Sequence, residues 1–220
     1  MKTLLLAIAC VGFLAARLPA GESWMEALRQ MPLPAGTPPL NRDNAMRALL
    51  DAFASNATVK ALIFLPAVSD DFYLFNRDRP KLNITARHFL DAITALTNAT
   101  PVRATFRAPF LLLHLERDFL EPICSTQDDP AAGRLKAKSG LAHAHFIDTH
   151  WERLQPALQK TVTMKVRPDA QSEDAWHFSR HNLAGWNLSN WELLQALSLA
   201  GKTACTVRRD QIVFAEHHSP

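Results

Sequence analysis

The apolar positions of the chain form two closely similar runs, one in each half. NITARHFLDAI (residues 83–93) sets Phe89, Leu90 and Ile93 on one face of a 3.6-residue period, and NLSNWELLQAL (residues 187–197) does the same with Leu193, Leu194 and Leu197. Each pattern predicts an amphipathic helix entered through a hydroxyl N-cap, Thr85 or Ser189, and Glu192 completes a capping box in the second.

The flanks correspond as well. Val68–Thr85 aligns with Gln171–Ser189 through the acidic pairs Asp70-Asp71 and Glu173-Asp174, Tyr73 with Trp176, Phe75 with Phe178, Arg77 with Arg180, and Asn83 with Asn187. The acidic pairs follow predicted strands, VKALIFLP (residues 59–66) and TVTMKVRP (residues 161–168), and suit turns better than acid–base chemistry. The aromatic pairs alternate along a strand; they would be core residues, or anchors for strand addition if that strand were an edge.

Downstream, the helices are expected to stop at Asn98 and Gly201, residue types that tolerate a left-handed cap. Each is followed by two strand-like pieces, Pro101–Leu115 and Thr203–His217. Upstream, Asn41–Ala54 predicts a helix with Met46, Leu49, Leu50 and Phe53 on one face and Asn56 as C-cap. Its counterpart starts with a Thr149–Glu152 capping box and carries Trp151, Leu154 and Leu158, with Pro156 disturbing it.

The expected fold class is therefore α+β: two tandem small units, each with two helices packed on a short mixed sheet, from an internal repeat of roughly 75 residues. The expected boundaries are a signal peptide over residues 1–20, a leader helix and Pro-rich connector over 21–40, unit 1 over 41–115, a linker over 116–148, and unit 2 over 149–217. The linker includes the basic run RLKAKSG (residues 134–140), read as solvated chain.

MKTLLLAIACVGFLAARLPAG has one Lys, an apolar run shorter than the roughly 20 residues a bilayer needs, and a small-residue end, which reads as a secretory signal. Without Lys2 and Arg17, 22 basic face 21 acidic side chains, which gives no reason to expect a nucleic-acid partner. No second long apolar run predicts an integral membrane segment in the mature chain. Cys124 and Cys205, the mature cysteines, allow one bridge at most; Cys205 falls in an expected buried strand, which favours free thiols.

The pattern of types and spacings over residues 83–115 and 187–217 resembles the secretin and TonB short N-terminal domain. That family has a strand before its first helix, for which the sequence shows no candidate ahead of Asn41 or Thr149. The resemblance implies a non-catalytic module docking on other envelope proteins of the bacterial periplasm, and it fixes no site residue. The expectation is accordingly a periplasmic or secreted binding or assembly module, with no catalytic residue, cofactor or metal.

Two alternatives come from the residues. HAHFIDTH offers His143, His145 and His150, with Asp148, as ligands of a metal-dependent hydrolase. The sequons at Asn56, Asn83, Asn98 and Asn187 would suit a eukaryotic secreted glycoprotein, although duplication and helix capping also account for them.

Overall fold

The computed structural model describes residues 20–73, 81–126, 129–138, 140–169, 180–209 and 211–216. In chain order they form α1 (Ala20–Arg29), α2 (Ala45–Ala52), β1 (Ala61–Phe64), α3 (Pro66–Tyr73), α4 (Phe89–Ala99), β2 (Arg103–Arg107), β3 (Phe110–His114) and β4 (Ile123–Thr126). There follow α5 (Asp129–Ala137), β5 (His143–His150), α6 (Trp151–Val162), β6 (Lys165–Pro168), β7 (Arg180–Trp186), α7 (Asn190–Gly201), β8 (Thr203–Val207) and β9 (Gln211–Glu216).

The fold is α+β with two mixed sheets, ordered β2-β3-β1-β7-β5 and β4-β8-β9-β6. β3 runs parallel to β1 and antiparallel to β2, while β9 runs parallel to β6 and antiparallel to β8. The two halves share a sheet, since β1 pairs antiparallel with β7, Ile63 opposite Leu183.

Alternation along the central strands explains the layering. Ala61, Ile63, Phe110, Leu112 and Leu183 face one core together with α5, α6 and α7, and Leu62, Phe64, Leu111, Leu113 and Ala184 face the other with α1, α2 and α4. Val166, Cys205, Val207, Ile212 and Phe214 of the second sheet close the first core from its far side. The order of layers is helices, five-stranded sheet, helices, four-stranded sheet, so α7 is covered on two sides and α4 on one.

Several expectations are corrected. The stretch 116–148 is not a linker: it holds β4, α5 and the start of β5, because Ala131 and Leu135 give α5 a short apolar stripe that packs on α7. A strand does precede the second-half helix, namely β5, paired antiparallel with β7. In the first half the same region makes only isolated bridges, Leu40 to Ile84 and Pro32 to His88. Val68–Tyr73 belongs to α3, so Asp70 and Asp71 lie in a helix and Tyr73 is no strand residue; Pro66 opens that helix, where its missing N–H is harmless. Phe75, Arg77, Glu173, Asp174, Trp176, Phe178 and residues 1–19 lie outside the described residues.

The caps differ too. Ser189 and Glu192 form the reciprocal box, the Glu192 N–H donating to Ser189 Oγ at 3.1 Å and the Ser189 N–H to Glu192 Oε2 at 2.7 Å. Thr85 caps nothing, since α4 starts after His88; Thr149 yields the cap position of α6 to His150, which makes no side-chain cap bond. α2 and α4 end in extended residues, Phe53 and Thr100, rather than at Asn56 and Asn98. α6 runs through Pro156 because that proline forgoes one ladder bond early in a helix anchored by buried Trp151, Leu154, Leu158 and Val162.

Candidate functional site

β5 decides the fate of the histidine cluster. Period-two alternation puts His143 and His145 on one face, with ring centroids 5.6 Å apart; His143 stacks on Trp186 of β7 at 4.4 Å, and His145 Nε2 lies 3.1 Å from Asp51 Oδ1 of α2. His150 stands at the other end of the strand, roughly 20 Å from His143 at the usual rise per residue. A bulge between Phe146 and Thr149 intervenes, with Asp148 in the left-handed region at φ 49°. Asp148 pairs with Arg180 at 2.9 Å, and its N–H donates to Asn182 Oδ1 at 2.8 Å. The candidate ligands are thus split between two ends of one strand. Among the described residues no group of three His, Cys, Asp or Glu could hold a metal.

Cys124 and Cys205 are free thiols on neighbouring parallel strands, opposite each other in register. A hydrogen bond with Cys124, together with burial, pushes the Cys205 thiol well above its ordinary value, which makes it a poor nucleophile. Glu192 is pushed up by burial, but hydrogen bonds from Lys60 and from the backbone and hydroxyl of Ser189 outweigh this and lower it. The Lys60 Nζ to Glu192 Oε1 contact is 2.7 Å and ties β1 to the start of α7.

The sheet edges differ in how they are guarded. β5 is bulged, β6 ends at Pro168, and β4 is four residues long. β2 is an edge of five residues with no bulge and no proline. Beside it Trp24, Met25, Leu90, Ile93 and Val102 line a groove of about 470 Å³, from α1, α4 and the start of β2. Trp24 stacks on Phe106 of β2 at 5.9 Å, and Met25 is 45% exposed, one of the two large apolar side chains so placed among the described residues. Arg103 and Arg107 at the two ends of β2 face Glu116 at 3.5 Å and Glu121 at 3.4 Å, in exposed pairs that exchange cheaply. The leader helix expected within residues 21–40 is α1, but nothing local indicates that Met25 and Leu90 meet across a groove.

No family model, curated protein or solved structure matches this chain significantly. Among the described residues no helix is long and apolar enough to cross a membrane.

Proposed function

We propose that this chain is an exported, non-catalytic docking module of the bacterial periplasm, built from two short-N-terminal-like units and binding another envelope protein. The second half supports the resemblance through its order, β5-α6-β6-β7-α7-β8-β9, which supplies the strand ahead of the first helix. The matching pairings of β1, β2 and β3 with β6, β8 and β9 support a duplication.

The observation that carries the docking reading is the β2 edge, free of bulge and proline, beside the Met25–Leu90 groove. Its occupant is an extended segment of the partner that adds a strand to β2, seats an apolar side chain against Met25 and Leu90, and offers acidic residues to Arg103 and Arg107. Main-chain hydrogen bonds supply affinity, and the groove supplies selectivity.

A photocrosslinking residue at Thr105 of β2, expressed at native level, should give one discrete adduct that Met25→Lys abolishes. The same residue at exposed Lys160 of α6 should give none. Equal adducts from both positions, or an adduct indifferent to Met25→Lys, would overturn the reading.

A further inference from the structure

A second surface feature has no part in docking. Between the end of α5, the α6–β6 turn, the first turn of α7 and the β8–β9 turn lies a pocket of about 390 Å³. Arg134, Lys138 and Arg209 line it, and no carboxylate does among the described residues. Arg134 and Lys138 share a helical face, the Lys138 N–H donating to the Arg134 carbonyl at 3.0 Å. Lys138 Nζ is steadied by a 3.3 Å contact with Thr163 Oγ1 at the rim.

Asn190 is the unexpected member of this wall. It is wholly buried, yet neither its Nδ2 nor its Oδ1 has a hydrogen-bond partner. Its backbone N–H donates to the Lys138 carbonyl at 3.1 Å, so the residue is held in place while both ends of its carboxamide stay unspent. An unpaired buried amide is destabilising, and an apolar residue of the same size would serve the core better. The first turn of α7 does not explain the pocket, since Ser189, Glu192 and the Lys138 carbonyl already occupy that end.

We infer that this pocket binds a phosphate group, free or as a phosphomonoester. Two guanidinium forks and an ammonium surround the anion, Asn190 Nδ2 donates to one of its oxygens, and Asn190 Oδ1 accepts from the P–OH of monohydrogen phosphate or of a singly protonated phosphomonoester. The volume falls in the range of small-molecule sites and exceeds what a bare anion fills, which leaves room for the group the phosphate carries.

The test is calorimetric titration of the full mature chain with inorganic phosphate at low ionic strength, with sulfate as the competing anion and phosphatidic-acid vesicles as a second arm. Saturable phosphate binding is expected, weakened about tenfold by Arg134→Ala or Arg209→Ala. Sulfate, which has no hydroxyl for Oδ1, should bind less tightly. Binding to the vesicles as well would assign the phosphate to a lipid headgroup; binding to inorganic phosphate alone would assign it to a soluble ligand.

Asn190→Leu separates binding from folding. It should abolish phosphate binding while leaving the thermal midpoint equal to or above that of the parent. No saturable heat in the parent chain, affinity unchanged in both arginine variants, sulfate binding as well as phosphate, or a lowered midpoint in Asn190→Leu would each overturn the assignment.

Discussion

His181 gives the most direct test of the packing between the two sheets. It sits on β7 with 1% of its surface exposed, its Nδ1 3.3 Å from the Thr149 carbonyl oxygen and its ring 6.4 Å from that of Trp151. Burial lowers its pKa from 6.5 to about 4; the Thr149 carbonyl works against that shift and the charge of His150 adds to it. Because the folded value lies below the unfolded one, the unfolded chain takes up the proton first as the pH falls. Stability contributed by neutral His181 is whole above about pH 6.5 and is lost progressively down to about pH 4.

That interval, at about 1.4 kcal/mol for each pH unit, corresponds to about 3 kcal/mol in all, of which about 2.5 kcal/mol is gone by about pH 4.5. Urea unfolding at about pH 7.5 and about pH 4.5, for the parent chain and for His181→Gln, isolates the term, since the carboxylates titrate alike in both. The parent should lose about 2.5 kcal/mol more than the variant between the two conditions. Equal losses would show that His181 titrates normally and that this part of the core is wet.

Other substitutions probe neighbouring parts of the fold. Gly201→Ala places a methyl 2.5 Å from His181 Nε2, so it should destabilise the chain by about 1–3 kcal/mol where an ordinary helical site would gain; a raised thermal midpoint would contradict the close approach. Asn182→Ala leaves the Asp148 N–H without its acceptor and takes from Ser69 Oγ the 3.2 Å hydrogen bond that Asn182 Nδ2 donates, and should cost about 1–3 kcal/mol, with hydrogen exchange at Asp148 accelerating. Unchanged exchange there would detach Asn182 from the bulge. Ser189→Ala should cost about 1 kcal/mol, and combined with Glu192→Ala should cost less than the sum of the two, because the box is reciprocal; strict additivity in a double-mutant cycle would refute it.

What could be read from the sequence was what neighbours within a few residues determine. The period of α7, its Ser189–Glu192 box and the β8–β9 hairpin are all local. α5 leaves little mark in the sequence because Ala131, Ala132 and Leu135 make a stripe too small to stand out amid Arg134, Lys136 and Lys138, and only packing on α7 makes it a helix. Gly201 suits a left-handed cap by residue type; Lys202 takes that conformation at φ 51°, and the glycine serves the approach of His181. The phosphate pocket was illegible for a related reason: Arg134 and Lys138 are neighbours at the end of α5, but Asn190 comes from α7 and Arg209 from the β8–β9 turn, and no spacing along the chain links these to the basic run. The histidines of β5 erred the other way, being close in sequence and separated by the strand's own rise.

The two helices with matching sequences show how far a local pattern reaches. Leu90 and Leu194 occupy the same slot in aligned segments, and sequence alone makes them equivalent core residues. α7 lies between two sheets, so Leu194 is wholly buried; α4 covers a single sheet face, so Leu90 is half-buried and faces the groove beside β2. Leu194→Ala should therefore cost about 2–5 kcal/mol through lost contacts and a residual cavity, whereas Leu90→Ala should cost under about 1 kcal/mol because solvent already reaches the site. Chemical denaturation of the two variants reads the difference directly. Equal costs would mean that α4 is covered on both sides, which would remove the groove and with it the physical basis for docking at β2.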